Sequence, residues 1–527
     1  MRDPAAWVAA LGNGRAQPPT GSGGAPVAGV GLAASAEESG AGLHLVSSPG
    51  HWSPQCGSAG GCRVIFDGTL DDRPPLLQGL ALDPRGVQND AELVAQAYLS
   101  WGESVFPRLR GSFACIVRDD ARHLSFCLRD PLGMHPLFYA ETGRALLFSP
   151  SIDSLLAQPG VSRELNRARL VDRLMRRWPV NDETYHACVQ RVPPGHVMRL
   201  GDGERSTHRI WDPIPADRPF AWLPEDEVQE RFNALFEQAV GRTLPAGPAG
   251  ILLSGGLDSS AIAAVATDLC RRDGRALPRT LSLTFSGLAW DDAALQARIA
   301  AALGLKTVQV PFDEAAGGSG TLAAALDMTR SLPAPLWVIW RPALIRLAQL
   351  GRENSCEQIL AGDGADEWLW ENDVLALDHL KSLDLVGLLR LWHTYAHSYH
   401  FSRAEALRVL LWRPGVRRLA HDAWRSAAEW LGAEERILRQ RRSAAVKEAG
   451  APSWIAPDPA LRTQIAERLE RSHARDDAAT GGSYYLRDTR ARMDHAEKWF
   501  MQEETFLLAR RVGVPMHQPF WDPDLIE

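Results

Sequence analysis

A regular alternation of helix and strand patterns between residues 226 and 310 most constrains the fold of this chain. Apolar residues repeat at helical spacing in some segments and form short strand-like runs in the segments between them. The predicted elements are the helix 226–242, the strand 250–253, the helix 260–272, the strand 279–285, the helix 291–303 and the strand 306–310. Such alternation predicts a parallel sheet covered by helices. We therefore expect an α/β domain over residues 225–527, mostly helical from about 320 to 510, with one further strand at 357–360.

The N-terminal part has a different pattern. Short strand-like pieces closed by turn residues occur at 62–68, 111–119, 123–130, 137–141 and 145–149. Between them, residues 90–101 (DAELVAQAYLSW) repeat apolar residues at helical spacing. Residues 1–205 are therefore predicted to form a layered α+β domain, with Gly- and Pro-rich loops around short strands in 14–61. Prolines exclude regular structure from 206–224, which we predict to be a linker.

Composition excludes several classes of protein. The net charge of -7 gives no general attraction to nucleic acid or anionic membranes, and the basic run 436–442 is typical of a solvated helix face. The start has no apolar signal-peptide core, and no uninterrupted apolar run reaches about 18 residues. We therefore expect a cytoplasmic protein without nucleic-acid or membrane partners. The seven cysteines form no CxxC pair, so neither a disulfide framework nor a zinc site is favoured.

The segment 251–262 reads ILLSGGLDSSAI and places a polar loop between a predicted strand and a helix. Ligands of open α/β sheets bind at the carboxyl ends of the strands. Two glycines let the backbone approach an anion, and hydroxyls stand beside the free N–H groups of the helix start. These residues are Ser254, Gly255, Gly256, Ser259 and Ser260. The pattern indicates a phosphate cradle, although it has neither the spacing and lysine of a Walker A loop nor the GxGxxG turn of dinucleotide-binding proteins.

Asp258 lies inside this cradle. A carboxylate there would be repelled by phosphate unless a divalent cation lay between them, which implies Mg²⁺. The alternative is that Asp258 is an ordinary helix N-cap.

A second polar loop follows the predicted strand 357–360. Residues Gly362–Glu367 read GDGADE and place acids on a glycine-rich turn, which suits a hard cation with oxygen ligands. Acidic Gly-rich turns are common on surfaces, so this motif is informative mainly in combination with the first. Asp258 and Asp366, one from each loop, could hold Mg²⁺ against a departing pyrophosphate.

SGGLDSS resembles the PP-loop of the ATP pyrophosphatases, and together with GDGADE it resembles the asparagine synthetase superfamily. Residues 66–73 (FDGTLDDR), 109–119, 128–139 and 192–197 (VPPGHV) are similar to the glutamine amidotransferase domain fused to those synthetases. The resemblance implies adenylation of a carboxylate by ATP, release of pyrophosphate, and attack of an amine on the acyl-adenylate. It implies that nucleotide-binding residues include Leu252, Leu253, Ser254, Leu283, Gly362 and Asp363, with Asp258 and Asp366 on Mg²⁺ and pyrophosphate.

Two positions depart from the amidotransferase pattern. These enzymes use an N-terminal cysteine as nucleophile and its own α-amine as base, but here Arg2 follows Met1 and the first cysteine is Cys56. Where the family has an asparagine in an NGEIYN-like turn, this chain has Asp67, whose carboxylate would oppose an anionic intermediate. We therefore predict an amidotransferase-like domain without glutaminase activity, serving as a scaffold.

A synthetase of this kind without an ammonia source needs another amine. The chain most resembles the lasso peptide cyclases, in which the N-terminal amine of a leader-free peptide attacks an activated Asp or Glu side chain. That resemblance implies a precursor peptide as substrate, and a leader peptidase and a leader-recognition protein as partners. The alternatives are asparagine synthetase, a β-lactam synthetase-like amide ligase, and a degenerate ATP-binding scaffold that presents a peptide.

Two further features bear on catalysis. Residues 516–527 (MHQPFWDPDLIE) resemble a family segment that relatives follow with more helices and a lysine on the activated intermediate. Lys447 and Lys498 do not match that position, so no catalytic lysine is assigned. Tyr395 lies near where relatives place a tyrosine that helps to deprotonate the amine; an ordinary amphipathic helix explains the same residue.

Overall fold

The N-terminal domain contains two antiparallel sheets. A computed structural model describes residues 7–12, 43–47, 54–71, 73–143, 145–177, 182–201, 203–214, 223–318, 320–369, 373–398, 401–411, 451–478 and 483–527. The strands are β1 Trp7–Gly12, β2 Leu43–Ser47, β3 Gln55–Ala59, β4 Cys62–Leu70, β5 Gly111–Asp119, β6 Leu124–Arg129, β7 Phe138–Glu141, β8 Ala145–Ser149, β9 Val189–Arg191, β10 His196–Gly201 and β11 Glu204–Arg209. One sheet has the order β2-β1-β8-β7-β9, and the other has the order β11-β10-β6-β5-β4-β3.

These sheets pack face to face, with helices on the outside. The helices are α1 Arg73–Gly79, α2 Asp90–Trp101, α3 Ile152–Leu156 and α4 Arg167–Leu174, with 3₁₀ turns at Pro84–Gly86 and Gly102–Arg108. Ile65 and Ile116 of one sheet meet Phe148 of the other in a buried core. A second core lies under α2, and a third lies under α3. The predicted layered α+β domain is confirmed, and the predicted helix 90–101 has the observed bounds of α2.

The C-terminal domain is built on a five-stranded parallel sheet. Its strands are β12 Ala249–Leu252, β13 Arg279–Thr284, β14 Lys306–Pro311, β15 Gln358–Leu360 and β16 Met516–His517. The order is β14-β13-β12-β15-β16, and every pairing is parallel. The chain moves outward from β12 through β13 to β14 and then returns to the other side of β12. The strand order therefore reverses between β12 and β15, which is where open α/β sheets bind ligands.

Helices cover this sheet and extend beyond it. They are α5 Glu225–Arg242, α6 Leu257–Arg272, α7 Ala293–Ala302, α8 Phe312–Ala315, α9 Thr321–Thr329, α10 Arg341–Glu353, α11 Ala365–Trp368, α12 Leu375–Lys381, α13 Leu385–Ser398, α14 Arg403–Leu407, α15 Pro459–Ala478, α16 Tyr484–Met493, α17 Ala496–Val512 and α18 Pro523–Ile526. A 3₁₀ turn spans Pro519–Trp521. The predicted α/β domain with a helical C-terminal part is confirmed. None of the helices in the described ranges is long and apolar enough to cross a membrane.

Some element boundaries differ from the sequence prediction. Helix α6 begins at Leu257 rather than at residue 260, because the cradle hydroxyls belong to its first turn. Strand β4 continues through the predicted turn after Asp67 as far as Leu70, because Gly68 takes a φ of 128° beside the Ser112 carbonyl. Strand β11 ends at Arg209, so the domain boundary expected at 205 falls within a strand.

Helix α17 joins the two domains. Its Glu503 accepts hydrogen bonds from Arg129 Nη1 at 3.1 Å and from Arg191 Nε at 2.9 Å, and both arginines are buried in the N-terminal domain. Toward its end, Arg510 Nη1 lies 3.4 Å from Asp67 Oδ2. The helix that precedes β16 therefore also makes buried electrostatic contacts with the N-terminal domain.

Candidate nucleotide site at the switch point of the parallel sheet

The first loop leaves β12 and enters α6 through a backbone that only glycine accepts easily. Gly255 has a φ of 96°, and a Cβ placed there would approach Asp292 Cβ at 3.2 Å. Gly256 is the N-cap of α6, and no side chain in the described residues caps this helix. The uncapped N-terminus of a long helix presents backbone N–H groups and a positive dipole end, which suits a phosphate. Asp258 is therefore in the first turn of α6 and is not its N-cap.

Three serine hydroxyls hold the loop in shape. Ser254 Oγ accepts from the Gly256 N–H at 3.2 Å and lies 3.0 Å from Ser259 Oγ. Ser260 Oγ donates to the Gly256 carbonyl at 2.6 Å. Only the N-cap N–H of Gly256 takes part in these bonds, and the N–H groups of the first turn of α6 do not. The structure thus shows the serines predicted for the cradle organising the loop itself.

The second loop leaves β15, the neighbour of β12. Gly364 has a φ of 119°, and an added Cβ would come within 2.9 Å of Trp521 Cδ1. Its N–H donates to Glu367 Oε2 at 2.9 Å, which closes the first turn of α11. Trp368 Nε1 donates to the Phe520 carbonyl at 3.0 Å, so the acidic turn rests on the 519–522 segment.

The two loops meet. A Cβ on Gly362 would lie 3.3 Å from Asp258 Cβ, so the absence of a side chain there lets the loops touch. Partial burial, together with the charges of Asp366 and Glu367, raises the pKa of Asp258. Asp366 is exposed at the mouth of the site. The structure therefore brings together the two carboxylates predicted to hold Mg²⁺, and their mutual repulsion is a reason for a cation between them.

Magnesium fits this donor set. No group of three or more His, Cys, Asp or Glu side chains is arranged to hold a metal in the described part of the chain. Mg²⁺ commonly takes one or two protein carboxylates and completes its shell with phosphate oxygens and water. Asp258 and Asp366 would supply those carboxylates.

The remaining predicted nucleotide residues border the same edge of the sheet. Leu253 donates its N–H to the Leu281 carbonyl at 3.0 Å, and Leu252 lies in the buried layer shared with Leu283. Gln296 Nε2 ties the two strand ends together by donating to the Ser254 carbonyl at 3.1 Å and the Leu283 carbonyl at 3.2 Å. Sequence reasoning missed Gln296, because a glutamine inside a helix carries no signal of a contact across two strands. The nucleotide-binding roles of these residues stay predictions.

Tyr395 lies in a different environment. It is 5% exposed and packs in an apolar cluster formed by α12, α13 and α14. Its predicted role in deprotonating an amine stays a prediction. Lys447 lies outside the described residues, as does Arg2.

Lys498 was not assigned from sequence, but the structure places it at the acidic turn. Its Nζ lies 2.8 Å from Glu367 Oε1. Another missed contact joins Gln518, just after β16, to the Asp363 side chain. Neither contact has a sequence signal, since each links segments more than one hundred residues apart.

Asp67 lies at the boundary of the two domains. It is 4% exposed, and its Oδ2 lies 3.0 Å from His135 Nε2 as well as 3.4 Å from Arg510 Nη1. These residues line an interdomain cavity of about 300 Å³ that also reaches His517 and Gln518. The carboxylate that departs from the amidotransferase pattern is thus held by two basic side chains, one from each domain.

Family models match both domains. The glutamine amidotransferase domain model matches residues 77–211, and the asparagine synthase model matches residues 231–527. The observed order of a layered N-terminal domain and a parallel-sheet domain agrees with these matches. The first match also extends past residue 205 to the end of β11 and the residues after it.

Curated relatives carry two kinds of name. Amidase chry2 of Gibberella zeae is 29% identical over 351 residues, which cover 64% of this chain and 51% of that protein. Asparagine synthetase [glutamine-hydrolyzing] 3 of Bacillus subtilis is 30% identical over 230 residues, covering 42% of this chain and 36% of the relative. A putative asparagine synthetase [glutamine-hydrolyzing] of Mycobacterium tuberculosis is 29% identical over 322 residues, which cover 58% of this chain and 46% of that protein. The chain thus spans about half the length, or less, of these relatives. Because the asparagine synthase model spans more than half of the chain, the protein belongs to the asparagine synthase family and carries a glutamine amidotransferase domain in its N-terminal part.

Proposed function

We propose that the protein is an ATP-dependent amide ligase of the lasso peptide cyclase type. It adenylates an Asp or Glu side chain of a leader-free precursor peptide, and the peptide's N-terminal amine closes a macrolactam with release of AMP and pyrophosphate. The observation that carries the proposal is the meeting of the SGGLDSS and GDGADE loops at the switch point, with Asp258 and Asp366 on facing loops.

The chain's own residues support this chemistry by binding and positioning. The uncapped start of α6 and the Gly255–Gly256 backbone would bind the triphosphate, and Asp258 and Asp366 would hold Mg²⁺. The chemistry that Mg²⁺ would supply when bound there is positive charge to balance the negative charge on a departing pyrophosphate. Apolar residues around the strand ends, among them Leu253 and Leu283, help to exclude water from the activated acyl group.

The presence of Asp67 favours a reaction in which the nucleophile is an amine of the substrate and not ammonia released from glutamine. An oxyanion intermediate in that pocket would meet a carboxylate already paired with His135 and Arg510. The pocket thus has a carboxyl group where the amidotransferase pattern has an amide donor, which argues against glutamine hydrolysis. The proposed setting is cytoplasmic, with a leader peptidase and a leader-recognition protein delivering the peptide.

Asparagine synthesis is the second candidate, favoured by the names of the bacterial relatives. The fungal relative is named an amidase, and that name does not distinguish a cyclase from an asparagine synthetase. A β-lactam synthetase-like ligase would share the adenylation step. A degenerate scaffold would bind nucleotide and make no AMP.

The test supplies purified protein with Mg–ATP and synthetic peptides that have a free N-terminus and an internal Asp or Glu. We expect AMP, pyrophosphate and a peptide product lighter by one water that carboxypeptidase cannot trim through the ring. Asparagine formed from aspartate and ammonia, with the peptides left unchanged, would contradict the cyclase proposal. Nucleotide binding without AMP would favour the scaffold.

A matched pair of variants tests the metal role. Asp258→Asn should lower pyrophosphate release by about 100-fold or more, because it removes a charge that orients the metal and the triphosphate. Asp268→Asn makes the same change on the exposed side of α6 and should leave turnover unchanged. Equal turnover in both variants would refute the role of Asp258.

A further inference from the structure

Lys498 joins helix α17 to the acidic turn of the nucleotide site. Its Nζ lies 2.8 Å from Glu367 Oε1, and the two side chains are 24% and 19% exposed. The lysine lies in the first turn of α17, the helix that carries Glu503 and Arg510 to the N-terminal domain. This ion pair is therefore half-buried and attached at one end to the interdomain helix.

The two carboxylate oxygens of Glu367 have different partners. Its Oε2 accepts from the Gly364 N–H at 2.9 Å, and its Oε1 faces Lys498. One oxygen thus shapes the turn, and the other is held by a cation. Glu367 directly follows Asp366, and its charge acts on Asp258 across the loops. Without Lys498, a third carboxylate charge would stand uncompensated beside the two that are aimed at the metal.

We propose that Lys498 is a positioning residue that holds Glu367 on the backbone of Gly364 and neutralises it. Glu367 then adds no net charge to that of the other carboxylates, Asp258 and Asp366 among them, that face the metal and triphosphate. The inference rests on the proposed function in that it assumes Mg–ATP as the ligand, but it concerns nucleotide binding and not the identity of the acyl acceptor.

The other lysines in the described ranges lie elsewhere. Lys306 begins β14 and is exposed at the amino end of the sheet, opposite the loops. Lys381 ends α12 and lies 5.6 Å from the ring of Tyr484. Lys306→Met is therefore a matched control that removes a lysine charge from the same domain but away from the site.

The test measures binding of Mg–ATP by titration calorimetry to the wild type and to the Lys498→Met, Glu367→Gln and Lys498→Met/Glu367→Gln proteins. Loss of Lys498 leaves Glu367 repelling the triphosphate, so the Kd should rise about tenfold or more. A glutamine at 367 keeps an oxygen for the Gly364 N–H and removes the charge. The double variant should therefore bind within about threefold of the wild type, and Lys498→Arg should bind as the wild type does.

A purely structural lysine would behave differently. The double variant would then bind no better than Lys498→Met, and that result would overturn the proposal, as would wild-type affinity in Lys498→Met. Thermal unfolding of each variant checks that the fold is retained, with Lys498→Arg as the variant that keeps the charge. If the wild type binds Mg–ATP but makes no lactam, the proposed function fails while this test still stands. Absence of Mg–ATP binding in the wild type would reject both.

Discussion

At the scale of single residues, Asp67 is the side chain to whose interpretation the structure adds most. The motif FDGTLDDR predicted a lost oxyanion amide, and the structure adds two basic partners. His135 is 68 positions away, and Arg510 is 443 positions away along the chain. A local motif can identify such a residue, but it cannot supply partners that only the packing of two domains brings together.

The Asp67–Arg510 contact predicts a strongly coupled pair of substitutions. Asp67→Asn removes the carboxylate from beside the buried Arg510 guanidinium. Arg510→Met removes the guanidinium from beside the buried Asp67 carboxylate. Each should lower the free energy of unfolding by about 3–5 kcal/mol. The double variant should lose clearly less than the sum of the two, because neither charge then remains uncompensated. Denaturant titrations of all four proteins give the coupling energy. Additive losses would mean that the contact contributes little, as we expect for the exposed Arg205–Glu141 pair.

At the scale of elements, the acidic turn depends on a glycine conformation. Gly364→Ala should destabilise the domain and abolish nucleotide binding, because an added Cβ collides with Trp521 and displaces the turn that carries Asp366. Gly317→Ala is the control. Gly317 also has a positive φ, of 92°, but no atom lies within 4 Å of an added Cβ. Backbone strain alone should lower the free energy of unfolding by about 1–3 kcal/mol in both variants. The two variants should therefore differ in nucleotide binding, which only Gly364→Ala loses. Retained Mg–ATP affinity in Gly364→Ala would contradict this account of the turn.

Strand β16 predicts a pH dependence through His517. Burial lowers its pKa from 6.5 to about 4, so the folded protein keeps this imidazole neutral. The unfolded chain takes up a proton near pH 6.5, and the folded protein does so only near pH 4. The free energy of unfolding should therefore fall as the pH drops through this window, by up to about 3 kcal/mol from this group. His517→Gln should flatten that slope in denaturant titrations between pH 7 and pH 4. The same substitution at the exposed His208 should leave it unchanged; equal slopes in all three proteins would show that His517 does not contribute.

The element predictions succeeded where periodicity is strong. The alternation over 226–310 and the helix 90–101 depend on patterns repeated within one element, and these came close to the observed bounds. Strand β16 could not be predicted, because two residues carry no period and pair only with the edge of β15. The cradle and acidic turn were predictable because the glycines and acids are adjacent in sequence. Lys498 and Gln296 were not, because they reach the site from helices with ordinary charged or mixed faces.

At the scale of the whole molecule, α17 connects the two domains through buried charge. Glu503 is the shared partner of Arg129 and Arg191, and both guanidinium groups are removed from water. A carboxylate that neutralises two buried cations cannot be lost without a large cost on one side of the interface. The amidotransferase-like domain is thereby fixed to the helix that also reaches the acidic turn through Lys498. The scaffold role predicted for that domain would depend on these contacts.

Glu503→Gln should therefore weaken the coupling between the domains as well as their stability. We expect calorimetric unfolding to change from one main transition to two, with the N-terminal domain unfolding first because it retains two buried arginines that have lost the charge of Glu503. Glu504→Gln is the matched control, since the neighbouring residue pairs with Arg341 inside the C-terminal domain. That variant should unfold at a lower temperature without splitting the transition. If Glu504→Gln splits the transition and Glu503→Gln does not, the coupling lies elsewhere in the interface, for example in the Arg209–Asp494 or Arg110–Asp524 pairs.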